Sequence, residues 1–138
     1  MLIEAFLSEY NCSHRSLQDL DKNRFAAADL YGKHVNTFAG LKSIKLSETG
    51  NFKMLVSGDS ITAERKFEHP FTFRNYAKLI FSTNEIPESN DKTDAFYDRW
   101  IIFHFDKKFQ CGPEDTKMME KITTPEELSG LLNLACPF

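Results

Sequence analysis

Three short apolar runs do most to limit what this chain can fold into: "HVNTFA" at residues 34–39, "KLIFST" at 78–83 and "WIIFHF" at 100–105. Each is too short for a buried helix and too continuous for a strand with one wet face, which is the pattern of interior strands in a parallel sheet. The segments between them read as helices. "SLQDLDKNRFAAADLYGK" has Ser16 as a cap with Asp19 three residues on and stops at Gly32, as one helix or two short ones would. "SETGNFKMLVSGD" predicts a short helix ending at Gly58. In "TTPEELSGLLNLA", Thr124 is the N-cap, Pro125 stands at the first helical position and Glu127 lies three residues after the cap. "ITAERKF" and "FTF", separated by Glu68-His69-Pro70, predict a β-hairpin. The expected fold class is α/β, with a mainly parallel sheet, flanking helices and a hairpin insertion.

With 138 residues, 41% hydrophobic and 27% charged, the chain is expected to form a single domain over residues 1–138 without staples or disorder. Thirteen phenylalanines are expected mainly to fill the core. A net charge of -3 gives no global basic footprint, so any nucleic-acid contact must be local. Cys12, Cys111 and Cys136 lack CxxC spacing and fit a reduced, cytoplasmic chain. The scattered histidines predict no metal. "MLIEAFLSEY" has helical spacing, but it carries Glu4 and lacks a basic flank and a cleavage site, so it is no signal peptide. No apolar stretch is long enough to span a membrane.

Ligands of open α/β sheets gather beyond the carboxyl ends of the strands. Asn84, just past "KLIFST", can orient a water or touch a phosphate there, or can simply form the turn before Glu85-Ile86-Pro87. Arg99, ahead of "WIIFHF", can equally be a surface partner of Asp98 or Asp94.

The surrounding sequence, "FKMLVSGDSITAERKFEHPFTFRNYAKLIFSTNEIP" followed by "DAFYDRWIIFHF" and "TPEELSGLLNLA", closely resembles the C-terminal half of the superfamily 3 helicase domain. That domain occurs in primase-helicases of phages, plasmids and archaeal viruses, and the resemblance runs from about residue 6 to residue 135. It implies a truncated AAA+-like sheet. It also implies that Asn84 is sensor 1, which positions the attacking water, and that Arg99 is the arginine finger, which reaches the ATP of a neighbouring subunit and stabilises the transferring phosphoryl group. "VSGDSITAERKFEHPFTF" resembles the segment leading into the hairpin that grips DNA in the family's ring. Lys53, Gly58 and Asp59 match its approach, and Arg65, Lys66 and His69 lie on or near the hairpin. A ring of such lysines lets a weakly acidic chain hold phosphates.

Departures from the family pattern matter as much. The Walker A loop, G-x-x-x-x-G-K-[ST], is expected before Met1. Gly32-Lys33 is followed by His34, has Ala27 where the first glycine belongs, and leads into a strand, so it is a decoy. Gly40 stands where the family has the Walker B acid, and glycine cannot hold Mg²⁺. "ACPF" departs where the family's last helix would continue. ATP and Mg²⁺ serve intact relatives, and no cofactor is expected for this chain alone. Without the P-loop strand, "KLIFST" and "WIIFHF" must face a gap or collapse together. Exposed edges of this kind predict a homodimer or a rearranged sheet.

Three readings stay open: a fragment of an ATP-driven DNA helicase without ATPase activity of its own, a DNA-binding or interaction module docking on a full-length helicase, and an inactive provirus remnant. DNA is the expected partner, bound weakly and without sequence preference, with the chain itself or a full-length helicase as oligomeric partner.

Overall fold

The computed structural model describes residues 1–41, 45–46, 49–107 and 117–136. Its contacts divide into two compact units, Tyr10–Ile102 and the pair of segments Met1–Glu9 and Phe103–Phe138. Among the described residues, five strands lie in the first unit: Cys12–Ser13 (β1), Val35–Ala39 (β2), Ser60–Ala63 (β3), Phe71–Arg74 (β4) and Lys78–Ser82 (β5). β1, β2 and β5 form a parallel sheet in that order, with Cys12 opposite Val35 and Val35 opposite Lys78. β3 and β4 form a separate antiparallel hairpin, Ser60 opposite Arg74 and Ala63 opposite Phe71. The fold is α/β, as the alternation of apolar runs and helical segments predicts.

The helices of this unit begin and end where local chemistry dictates. Leu17–Lys22 (α2 of the chain, after Leu2–Leu7, α1) is capped by the Ser16 hydroxyl, which accepts the Asp19 N–H at 3.0 Å. A 3-10 turn over Ala26–Leu30 completes the "two short helices" alternative. Gly50–Ser57 (α3) stops because Gly58 adopts a left-handed conformation, φ 71°, and returns its N–H to the Met54 carbonyl. That conformation is cheap only for glycine. Asp94–Tyr97 (α4) is a single turn.

Two apolar clusters cover the sheet. One joins Leu20, Leu30, Leu55, Ile61 and Phe73, and the other joins Leu17, Leu41, Leu46, Phe52 and Phe96. Leu79 and Phe81 of β5 pack against both, while Ile80 between them is exposed. The core is less aromatic than the composition suggests. Among the described residues only Phe52, Phe73 and Phe96 are buried phenylalanines, while Phe67, Phe103 and Phe105 are exposed. Leucine and alanine fill most of the interior.

One expected strand is missing. "WIIFHF" forms no strand, and Ile101, Ile102, Phe103 and Phe105 are exposed. A strand needs a neighbour to take its backbone hydrogen bonds, and among the described residues β5 pairs with β2 alone. The apolar run therefore adds no strand to β5. Its first residue does dock, with Trp100 stacked on Phe52 at 4.8 Å between ring centroids.

The second unit holds α1, Met118–Ile122 (α5) and Pro125–Ala135 (α6). Thr124 caps α6 by accepting the Glu127 N–H at 3.3 Å, with Pro125 in the first turn as predicted. No residue of these three helices is buried. None of the described helices is long and apolar enough to cross a membrane.

Candidate functional site

Asn84 follows β5 at its carboxyl end, and its side chain is exposed. The turn there is made by Thr83, not by Asn84. The Thr83 hydroxyl donates to the Glu85 carbonyl at 2.6 Å and accepts the Glu85 N–H at 3.3 Å. The Asn84 amide makes no hydrogen bond to the described residues and is left with two donors and an acceptor for something else. Beside it, Gly40 closes β2 in a left-handed conformation, φ 73°, with its N–H bonded to the Ser82 carbonyl at 2.9 Å. Glycine at this position thus has a backbone reason.

Arg99 pairs with neither Asp94 nor Asp98. Its guanidinium donates to the Ser57 hydroxyl, at 3.3 Å from Nε and 2.9 Å from Nη2, and to the Ala95 carbonyl. These bonds tie it to the end of α3. No hydrogen bond joins Arg99 to Asn84 among the described residues.

Lys53 ties α3 to the segment after β5, while Gly58 and Asp59 lead from α3 into the hairpin. Lys53 forms an ion pair with Asp91, whose carboxylate also accepts the Thr49 hydroxyl at 2.5 Å, the Thr93 hydroxyl at 2.7 Å and the Thr93 N–H at 3.0 Å. The Lys53 ammonium first, and then these hydroxyl and amide donors, hold Asp91 well below the usual carboxylate range. Gly58 turns the chain out of α3, and the Asp59 N–H bonds to the Met54 carbonyl at 3.1 Å before β3 begins. A residue that the sequence reading passed over secures the other end. Asn75 is buried just after β4, and its amide donates to the Leu55 carbonyl at 3.0 Å and the Ala77 carbonyl at 3.1 Å. Its one legible signal is a polar side chain flanked by two predicted strands.

The loop between β3 and β4 carries the predicted cations. Arg65 lies 3.6 Å from Glu68 and stacks over the Phe71 ring at 5.1 Å, and Glu64 is paired with Arg24 at 3.2 Å. Lys66 and His69 are exposed, and Lys66 has no ion-pair partner among the described residues. Phe67, next to it, is fully exposed with φ 66°.

A polar cleft of about 390 Å³ opens near Arg65, lined also by His14, Arg15, Asp29 and Lys33. Asn36, buried in β2, fixes Arg15 there: its carbonyl accepts the Arg15 N–H at 2.8 Å and its amide donates to the Arg15 carbonyl at 2.9 Å. Arg15 is in turn paired with Asp29. Lys33, of the Gly32-Lys33 pair, donates to the Tyr10 carbonyl and leads within two residues into β2, so no helix N-terminus is present to receive a phosphate. Among the described residues no three His, Cys, Asp or Glu side chains are grouped to hold a metal ion. Cys12 and Cys136 form no disulfide, and Cys111 lies outside the described residues.

A family of unknown function, DUF5906, matches residues 1–99. The chain belongs to DUF5906. Every predicted site residue, from Lys53 to Arg99, falls within the matched span. Over 99 residues this DUF5906 chain is 30% identical to a protein named putative helicase from Acanthamoeba polyphaga mimivirus. That match takes in 72% of the chain and 10% of the viral protein, so the chain spans about a tenth of its curated relative. Two apo structures of the NrS-1 C-terminal region are similar as well. One is 18% identical, with a TM-score of 0.48 over 64% of this chain and 22% of its own. The other is 20% identical, with a TM-score of 0.46 over 67% and 22%.

Proposed function

We propose that this chain is the DNA-handling part of a superfamily 3 helicase domain and that it hydrolyses no ATP by itself. The observation that carries this reading is the β3–β4 hairpin. Its loop presents Lys66 to solvent with no ion-pair partner among the described residues, while Asn75 and Gly58 hold its two ends against α3. An exposed ammonium on an anchored hairpin suits a sequence-independent contact to a phosphate backbone. Arg65 and His69 flank that contact.

Asn84 is the sensor 1 residue in this proposal. Its unengaged amide at the end of a parallel strand is consistent with the positioning of a water or phosphate oxygen. Arg99 is the arginine finger, and it must release Ser57 and the Ala95 carbonyl before it can reach a neighbouring subunit's nucleotide. Neither residue can act on ATP here, because the chain has no G-x-x-x-x-G-K-[ST] cradle and Gly40 offers no carboxylate for Mg²⁺. Both become functional only beside a complete nucleotide site, in a longer polypeptide or a full-length helicase partner.

The test is a fluorescence-anisotropy titration of a labelled oligonucleotide at low salt, with wild type and Lys66→Glu compared. Dissociation constants of roughly 10⁻⁴–10⁻⁶ M, weakening as salt rises, are expected for wild type. Lys66→Glu is expected to remove most of the signal. Equal binding by both proteins would take the contact away from the hairpin. No binding by either would favour the inactive remnant, and ATP turnover above a buffer blank would contradict the proposal directly.

A further inference from the structure

We propose that Phe67 stacks on an unpaired nucleobase, which makes the hairpin tip a reader of single-stranded rather than duplex nucleic acid. This inference rests on the DNA-binding reading above and narrows its substrate.

The hairpin's other aromatic side chains are already used. Phe71 and Phe73 stack on each other at 5.8 Å, and Tyr31 meets them edge-on at 5.3 and 5.5 Å. Phe67 takes no part in this packing and is fully exposed. It also sits at φ 66°, a left-handed conformation that is an outlier for a bulky residue. Burial does not compensate that cost. Strained residues of this kind concentrate at ligand-contacting positions.

The neighbours of Phe67 identify the partner. Arg65, Lys66, Glu68 and His69 are all exposed, so the ring is an isolated apolar group within a polar loop and not part of a contiguous patch suited to a protein interface. Glu68 is engaged by Arg65 and Glu64 by Arg24, which leaves Lys66 as the unpaired charge beside the ring. A ring to stack on a base, next to a cation for the adjoining phosphate, is the minimal unit of sequence-tolerant single-strand binding. Bases in a duplex have both faces covered by their neighbours. An unpaired base offers a free face.

The experiment titrates three labelled ligands of equal length at low salt: oligothymidine, its abasic counterpart and a duplex. The full chain is compared as wild type, Phe67→Ala, Phe67→Trp and Lys66→Glu. Phe67→Ala is expected to weaken oligothymidine binding by roughly 5-fold or more, the lower bound for loss of one stacked base, while leaving abasic and duplex binding unchanged. Phe67→Trp should bind oligothymidine like wild type, with its indole emission quenched. Lys66→Glu should weaken all three ligands. The inference is overturned if Phe67→Ala binds oligothymidine like wild type, or if wild type binds the abasic strand equally well. If Lys66→Glu changes nothing but Phe67→Ala does, the lysine contact falls and the stacking stands. If wild type binds none of the three, both fall. Because Phe67 is exposed, the Ala variant should keep its fold, and an unchanged or raised melting temperature checks this.

Discussion

Gly40 and Phe67 share a left-handed backbone, φ 73° and 66°, and differ in what that conformation costs. Glycine adopts it freely, whereas an L-residue with a side chain gives up roughly 1–2 kcal/mol. Phe67→Gly should therefore raise stability by about 1 kcal/mol, after the extra freedom of glycine in the unfolded chain is counted. Chemical denaturation measures it, and a loss of stability would mean that the ring is packed after all. The converse holds for Gly40→Asp, the change that would put a carboxylate where the helicase resemblance implies the Walker B acid. Nothing within 4 Å obstructs a Cβ there, so the cost is backbone strain alone, about 1 kcal/mol, and the variant should fold. Asp91 supplies a pH test. Its carboxyl lies below its ordinary value of 3.8 because Lys53 and the Thr49 and Thr93 hydroxyls favour the anion. A depressed native pKa contributes stability that is fully present above the unfolded value and is lost as pH falls through the folded one. Melting temperature should drop as pH falls below about 4. Asp91→Asn should be less stable than wild type at neutral pH and lose part of that acid-side slope.

Among the elements, the hairpin is tied to α3 by a buried polar side chain, Asn75. Asn75→Ala would leave the Leu55 and Ala77 carbonyls and the Ala77 N–H without the partner they now share. An unsatisfied buried group costs about 1–3 kcal/mol, so a loss of at least 2 kcal/mol in denaturant titrations is expected. A loss below 0.5 kcal/mol, on the order of an exposed substitution, would show that water replaces the amide. Elements with local causes were legible in the sequence. Ser16 and Thr124 announce their helices by side-chain caps, Gly58 announces the end of α3, and "KLIFST" announces β5 by composition. Asn75 and Asn36 were not legible, because their partners lie 20 and 21 residues away and no local pattern marks such a pairing. The candidate site divides in the same way. Lys66 and Asn84 could be placed by position along the chain, whereas the engagement of Arg99 by Ser57, 42 residues earlier, depends on how α3 and α4 pack. "WIIFHF" misleads for the related reason that strand propensity describes a segment, while a strand also needs a neighbour.

At the scale of the molecule, the unit from Tyr10 to Ile102 exposes apolar side chains as well as the edge of its sheet. Among the described residues β5 has a strand on one side only, and Ile80, Ile101 and Ile102 are among the exposed apolar side chains of the unit. An unpaired edge offers backbone N–H and C=O groups to any extended chain, and the exposed apolar side chains of the unit add a favourable area term to association. A second copy can satisfy both. We expect reversible self-association, seen in light scattering as an apparent mass that climbs with protein concentration and is little affected by salt, since the attraction is apolar and hydrogen-bonded and not ionic. Ile101→Lys combined with Ile102→Lys should return the chain to monomer without lowering its melting temperature, because neither side chain is buried in the native unit. A wild-type mass that stays monomeric at every concentration would show that the β5 edge is protected in solution. A double variant that still associates would assign the contact to some other surface.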